Sequence, residues 1–294
     1  MNRIVNAMTV DVEDYFHASA FDRVVSRPSW AERESRVVPN TERLLEAFDR
    51  FKVRGTFFIL GWVAERFPAL VRAIAGNGHE VASHGFHHQL IYMLTPGQFR
   101  EDVRRAKIAI EQASGCEVRG YRAPSFSIVE ASMWALDVLL EEGHTYDASI
   151  FPVRHHRYGI PGAPRHPHLL RRESGSICEM PAPTMRIGSR NWPIAGGGYF
   201  RLAPYWLTRR AIARVNETDG LPVAFYIHPW EADPDQPRLA ESRVLRWRHH
   251  VGIERTIDRL GLLMSDFSFA PVSSVLATHR PPVVPAIARL AHAK

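Results

Sequence analysis

Short apolar runs that each deliver a charged or imidazole side chain, separated by stretches of helical periodicity, constrain this sequence most. The run at residues 5–12 reads as a buried strand that ends in acid at Asp11, Glu13 and Asp14. Gly55-Thr56-Phe57-Phe58-Ile59-Leu60 is a second, and Glu80-Val81-Ala82 leads into Ser83-His84-Gly85-Phe86-His87-His88. Residues 118–125 are tipped by Arg122 and Pro124, and residues 145–150 carry Asp147. Between these runs the spacing predicts helices. Asn40 is the expected N-cap of one that carries Leu44, Leu45, Phe48 and Phe51 on one face. A short helix over 65–75 ends at Gly76-Asn77-Gly78. Thr95-Pro96-Gly97-Gln98 is a capping box with proline at the first helical position, and Phe99, Val103, Ala106 and Ile110 form the stripe behind it. A fourth helix over 130–142 stops at Gly143. Strand–helix alternation with polar residues at strand ends predicts a parallel β/α arrangement whose site lies at the C-terminal face. No phosphate-binding glycine turn follows these strands, which disfavours a dinucleotide fold.

The pattern breaks at about residues 151–180, rich in Pro, Gly, His and Arg, and the expectation there is an insertion or lid over the site. Gly196-Gly197-Gly198-Tyr199-Phe200-Arg201 lacks the Lys-Ser/Thr of a phosphate loop, so its glycines are expected to let backbone approach a ligand or a neighbouring strand. A helix near 204–216 precedes a late strand tipped by His228, and residues 239–263 read as mostly helical. One domain over residues 1–280 is expected, with an insertion at about 151–200 and a peripheral tail at 281–294.

The formal charge of +6 is spread over scattered arginines rather than gathered on one helix or stripe, which argues against a nucleic-acid partner. It leaves room for peripheral contact with an anionic inner-membrane surface. Neither a signal-peptide h-region nor an apolar run of membrane-spanning length is read, so a cytoplasmic location is the expectation. Cys116 and Cys178 match no metal or redox spacing and are assigned no role; oligomeric state is left open.

The chemistry-bearing residues fall into a pattern. His84 and His88 stand in an H-x3-H relation, and neutral imidazole is the commonest metal ligand. With 15 histidines in 294 residues such a spacing arises about once by chance, so it needs carboxylate company. In extended backbone Asp11 and Glu13 share a face, and clustered carboxylates repel one another unless a cation or a raised pKa relieves them. His228 is a second strand-tip candidate, since a core histidine with satisfied hydrogen bonds is its bland alternative. His17, His87, His155, His156, His166, His168, His249 and His250 are assigned to surface or lid.

With the acidic tip, the histidine pair, Arg122-Ala123-Pro124, Asp147 and His228 in this order, the chain resembles the polysaccharide deacetylases of the NodB-homology family, carbohydrate esterase family 4. Asp11-Val12-Glu13-Asp14-Tyr15-Phe16-His17 and the Gly-Gly-Gly-Tyr-Phe-Arg stretch resemble its subgroup from bacterial exopolysaccharide loci with exosortase systems, for which residues 190–280 are the specific part. The resemblance implies an α/β fold, a distorted (β/α) barrel of about seven strands with a C-terminal helical extension. It implies one divalent metal, zinc first, with Co2+, Mn2+ or Ni2+ as alternatives. His84 and His88 are its implied ligands and Asp11 the general base. The family often has two adjacent aspartates; here Glu13 is the third ligand by the shared-face argument, with Asp14 the alternative if the strand bulges. Arg122 is implied to orient Asp11, Asp147 to buttress the general acid His228, and Ser125 to meet substrate through its backbone N–H. The implied reaction is removal of N-acetyl groups from amino sugars of a polysaccharide or lipid-linked glycan in exopolysaccharide biosynthesis. An amide hydrolase of the same fold acting on a small non-sugar substrate, and a non-catalytic glycan-binding protein, are the alternatives.

Overall fold

The computed structural model describes residues 4–18, 21–22, 24–155, 157–239, 242–279 and 281–284. In chain order, β1 (Val5–Val12) is followed by α1 (Val37–Arg50), β2 (Thr56–Ile59), α2 (Gly61–Arg66), α3 (Pro68–Gly76) and β3 (Glu80–Ser83). Then come α4 (Pro96–Ser114), β4 (Gly120–Tyr121), α5 (Ala135–Glu141) and β5 (Tyr146–Asp147). Four strands follow: β6 (His168–Arg172), β7 (Gly175–Glu179), β8 (Thr184–Ile187) and β9 (Arg190–Pro193). The remainder comprises α6 (Gly197–Leu202), α7 (Tyr205–Arg214), β10 (Ala224–Ile227), α8 (Arg243–His250), α9 (Thr256–Asp266), β11 (Ser268–Ala270), α10 (Val272–His279) and β12 (Val283–Val284).

The main sheet runs β10-β1-β2-β3-β4-β5-β7-β6-β12, with β11 paired to the start of β1. From β10 through β7 every neighbour is parallel, which matches the α/β fold and the strand number expected. Among the described residues the hydrogen-bonded order is open rather than a closed ring.

The period-two alternation of the strands separates two cores. Met8, Val10, Phe57, Ile59, Val81, Phe225 and Ile227 pack on one face with Leu44 and Phe48 of α1 and Val71 and Ile74 of α3. Ala7, Phe58, Ala82 and Ala224 point to the other face, where Val272, Val275 and Leu276 of α10 close one end. On β1 that inner face continues through Thr9 to Asp11, so it turns polar toward the strand tips.

Several expectations shift. α1 begins at Val37, not beyond Asn40, because the Asp14 carboxylate accepts the backbone N–H groups of Arg36 at 3.0 Å and Val37 at 3.3 Å. Asn40 is inside the helix and donates to Asp233 at 3.0 Å. The helix expected over 65–75 is two helices broken at Phe67, whose extended φ of −128° suits a residue before proline. Residues 151–180, expected to form an insertion or lid, are not irregular throughout. Their β6–β7 hairpin extends the sheet through a parallel β5–β7 pairing. Of the tail, Val283 and Val284 pair with β6, while residues 285–294 lie outside the described residues. The glycines after β9 serve a strand: a Cβ at Gly196 would stand 2.2 Å from the Tyr226 ring of β10.

Candidate active site

The tips of β1, β3 and β10 and the loop after β4 converge on a cavity of about 250 Å³ lined by Asp11, Glu13, His84, His88, Ser125, Phe126, Tyr158, Tyr226, His228 and Trp230. Asp11 and Glu13 project together, as strand periodicity requires. Arg122 arrives beneath Asp11 and is 1 % exposed. Its Nη1 donates to Asp11 Oδ1 and to Thr9 Oγ1, both at 2.7 Å, and its Nε donates to the Ala148 carbonyl at 3.2 Å. The guanidinium lies 4.2 Å over the Phe58 ring. Burying this charge is costly, and the paired carboxylate with two neutral acceptors offsets it.

His84 and His88 leave β3 on a tight loop. Gly85 takes a φ of +72°, and a Cβ there would stand 2.8 Å from Asp102 Oδ2. The Asp102 carboxylate, on α4, accepts the Phe86 and His87 backbone N–H groups at 2.7 and 3.1 Å, pinning the loop. His88 itself is left-handed, at a φ of +50°. Such backbone is uncommon outside glycine and gathers at functional sites.

One carboxylate oxygen of Glu13 and one nitrogen each of His84 and His88 lie within 4.8 Å of one another, and all three residues are buried. His84 Nδ1 is 2.8 Å from the Arg122 carbonyl, which only accepts, so Nδ1 carries the proton and Nε2 is left as a free electron pair. Burial lowers His84 to about 4, keeping it neutral. Burial pushes the Glu13 carboxyl up, but His88, His228 and His84 draw it down well below the ordinary carboxylate range. Glu13 Oε1 accepts from Trp230 Nε1 at 3.0 Å, and Oε2 stands 2.8 Å from His88 Nε2. A buried carboxylate oxygen facing two imidazoles is a donor set suited to a divalent ion such as zinc. Asp14 is elsewhere. It takes the Ser35 hydroxyl at 2.6 Å besides the α1 N–H groups, and burial raises it to about 6.

His228 Nε2 stands 3.8 Å from Asp11 Oδ2 and 3.7 Å from Glu13 Oε1. Burial lowers its pKa, and the bond to Glu231 with the charges of Glu13, Glu231 and Asp11 more than reverses this, to about 9. Asp147 is not its partner. β5 lies five strands from β10 in the sheet order, and Asp147 instead accepts the Ser149 hydroxyl at 2.5 Å beside Glu179. His228 Nδ1 meets Glu231 Oε1 at 2.7 Å, within the 3-10 turn Pro229–Ala232 that follows β10. The His228-Pro229-Trp230-Glu231 spacing carried that signal in the sequence. Ser125 lines the cavity in a left-handed turn, φ +53°, followed by Phe126 at +54°.

The other histidines divide. His17, assigned to surface or lid, is buried: its Nδ1 accepts the Asp14 N–H at 2.9 Å, and its ring sits 4.3 Å from Trp30 and 5.0 Å from Trp62. His168 and His249 are buried too; His156 lies outside the described residues.

Residues 21–140 match the polysaccharide deacetylase family model. This chain carries a polysaccharide deacetylase domain. Residues 148–277 match a domain of unknown function (DUF3473). Relatives of the deacetylase domain include a peptidoglycan-N-acetylglucosamine deacetylase from Bacillus cereus, 28 % identical over 33 % of this chain and 36 % of that one. A peptidoglycan deacetylase from Helicobacter pylori is 31 % identical over 37 % and 36 %. A chitooligosaccharide deacetylase from Bradyrhizobium is 31 % identical over 34 % and 43 %. The chain thus spans between about a third and two fifths of the length of these curated relatives. A crystal structure of a candidate polysaccharide deacetylase from Mycobacterium smegmatis has the same fold, with a TM-score of 0.63 at 23 % identity over 93 % of this chain and 89 % of that one. The deacetylase match contains His84, His88 and Arg122, the second match contains His228 and Glu231, and Asp11 and Glu13 precede both. Among the described residues no helix is long and apolar enough to cross a membrane.

Proposed function

We propose that the chain is a metal-dependent deacetylase that hydrolyses the N-acetyl amide of amino-sugar residues in a polysaccharide or lipid-linked glycan. The observation that supports it is one cavity in which the Glu13–His84–His88 donor set, Asp11 and His228 all meet. The three donors would hold the ion, which when bound supplies Lewis acidity toward an amide carbonyl and activates water at neutral pH. Asp11 is the general base. Arg122 occupies its Oδ1, so Oδ2, on the His228 side, takes the proton of the attacking water. General-base help of this kind contributes about 10²–10⁴-fold. His228 Nε2 returns a proton to the departing amine, which leaves poorly unless protonated. The balance is amide plus water to acetate plus amine. Trp230, Tyr226 and Phe126 wall the cavity, and Ser125, which also lines it, is the backbone contact to substrate. The exopolysaccharide setting rests on the subgroup resemblance alone.

Acetate release from N-acetylglucosamine oligomers tests this, using chelator-stripped protein with Zn2+ or Co2+ restored, beside Asp11→Asn. Metal-dependent release that the substitution abolishes is expected. Stoichiometric metal binding without release would remove this substrate class, and release indifferent to metal would remove the mechanism.

A further inference from the structure

The segment matched only as a domain of unknown function holds a buried arm behind His228. Glu231, 1 % exposed, bonds His228 twice: Oε1 meets Nδ1 at 2.7 Å and accepts the His228 backbone N–H at 3.1 Å. Its other oxygen accepts Arg201 Nε at 2.5 Å. Arg201, 4 % exposed, is fixed in turn, because its Nη1 donates to the carbonyls of His249 at 2.7 Å and Val251 at 2.9 Å. We propose that Arg201 and Glu231 act as a positioning pair for His228, fixing its ring and leaving Nε2 aimed at the reacting amide. This rests on the function proposed above.

The carboxylate can only accept, so His228 Nδ1 must carry a proton, and the other nitrogen faces Asp11 and Glu13. An imidazole free to flip would spend part of its time with the wrong nitrogen forward. Glu231 on the edge and Trp230 on the face prevent this; the Trp230 ring lies 5.1 Å from His228 at 20°. Trp230 is itself held, by its bond to Glu13 and by His249 stacked at 4.3 Å and 16°. Burying an ion pair is often no better for stability than well-packed apolar residues, so its presence here fits a conformational task.

The same arm gives the Gly-Gly-Gly-Tyr-Phe-Arg stretch its purpose. A side chain at Gly196 would enter the Tyr226 ring, so glycine lets α6 start against β10, and α6 then delivers Arg201 to Glu231. Gly252 does the same from the far side, where a Cβ would stand 2.6 Å from the Arg201 carbonyl oxygen.

The competing role is purely structural, since Glu231 also closes the capping box of the turn after β10. Four full-length variants separate the two: Glu231→Ala, Glu231→Gln, Arg201→Met and His228→Ala, each assayed for kcat and KM on N-acetylglucosamine oligomers. A general acid held in the wrong orientation loses most of its contribution, so Glu231→Ala is expected to lower kcat about 10²–10³-fold with KM within about twofold. Glu231→Gln keeps the side-chain length, but Arg201 Nε–H and the His228 N–H groups are donors on both sides, so its NH2 must face one of them and kcat should fall here too. Arg201→Met should lower kcat without adding to Glu231→Ala. Metal-free protein labelled with ¹⁵N-histidine gives a readout independent of turnover: a low-field Nδ1 proton, assigned by its loss in His228→Ala, is present in the parent and lost in Glu231→Ala. Retention of that proton and of kcat in Glu231→Ala, while His228→Ala is inactive, overturns the positioning role alone. Full activity of His228→Ala would instead overturn the function on which it rests.

Discussion

Arg122 reaches Asp11 from inside the sheet, its Nη1 2.7 Å from Asp11 Oδ1, while its backbone carbonyl sits 2.8 Å from His84 Nδ1. One residue on the loop after β4 therefore orients both the proposed base and a proposed metal ligand. Removing its charge strands a buried carboxylate. Arg122→Met should destabilise the fold by about 3–5 kcal/mol, and adding Asp11→Asn should recover part of the loss. Urea unfolding of the two single variants and the double variant measures this. Strict additivity would mean that the pair is not coupled.

The carboxylates of Glu13 and Asp14 are adjacent in sequence and lie in different surroundings, Glu13 facing two imidazoles and Asp14 capping α1. Titrating Zn2+ into stripped protein should give one site, weakened by about 10²-fold or more in His84→Ala and Glu13→Gln. Asp14→Asn should leave that affinity unchanged and instead lower stability by about 1 kcal/mol, the typical value of a lost helix cap. Weak zinc binding in Asp14→Asn with normal binding in Glu13→Gln would reverse the assignment.

A second carboxyl pair sets a pH dependence. Burial raises Glu179 well above its ordinary value of 4.5, with the neighbouring Asp147 charge adding to this, and burial raises Asp147 to about 6. The folded chain then holds protons that the unfolded chain releases. The pair's stability is full below the ordinary carboxylate pKa and falls as pH rises through 6 and beyond. Glu179→Gln should flatten that fall: denaturation midpoints of the variant and the parent should be close at pH 4.5 and diverge by pH 8, the variant being the more stable. A variant less stable at pH 8 would show that the glutamate is ionised in the fold.

What the sequence disclosed was local. Asp11, His84, Arg122 and His228 each stand at or just past the end of an apolar run, with His88 in the loop beyond, so strand periodicity drew notice to them, while the roles expected of them came from the family resemblance. The cavity brings Asp11, the histidine pair and His228 together. Asp147 also ends a strand, but whether its tip reaches His228 depends on sheet order, which no local pattern encodes. Glu231 lay in plain view three residues after His228, and it was hidden only because a short 3-10 turn has no periodicity to read. The start of α1 was displaced for a non-local reason, an acceptor supplied by Asp14 from 22 and 23 residues upstream. Residues 168–179 looked irregular because a hairpin near the end of the sheet with one partly exposed side carries few apolar residues.

Two glycine substitutions should act in opposite directions. Gly97 lies in the first turn of α4, where a Cβ would meet nothing within 4 Å, so Gly97→Ala relieves backbone entropy and should stabilise by about 0.5–1 kcal/mol. Gly196 has a φ of +92°, and its Cβ would fall 2.2 Å from the Tyr226 ring. Because Tyr226 is rigidly packed against Phe126, 5.1 Å between ring centroids, the ring cannot simply step aside. Gly196→Ala should cost about 1–3 kcal/mol, the usual range for overpacking. The displaced strand also carries His228 two residues on, so kcat should fall, while zinc affinity, whose proposed donors stand at the tip of β1 and on the loop after β3 and meet the turn after β10 through the Trp230–Glu13 bond, should change less. Thermal melts beside acetate-release kinetics and zinc titration check all three, and an alanine at 196 with unaltered stability would mean that the α6–β10 approach is looser than these distances require.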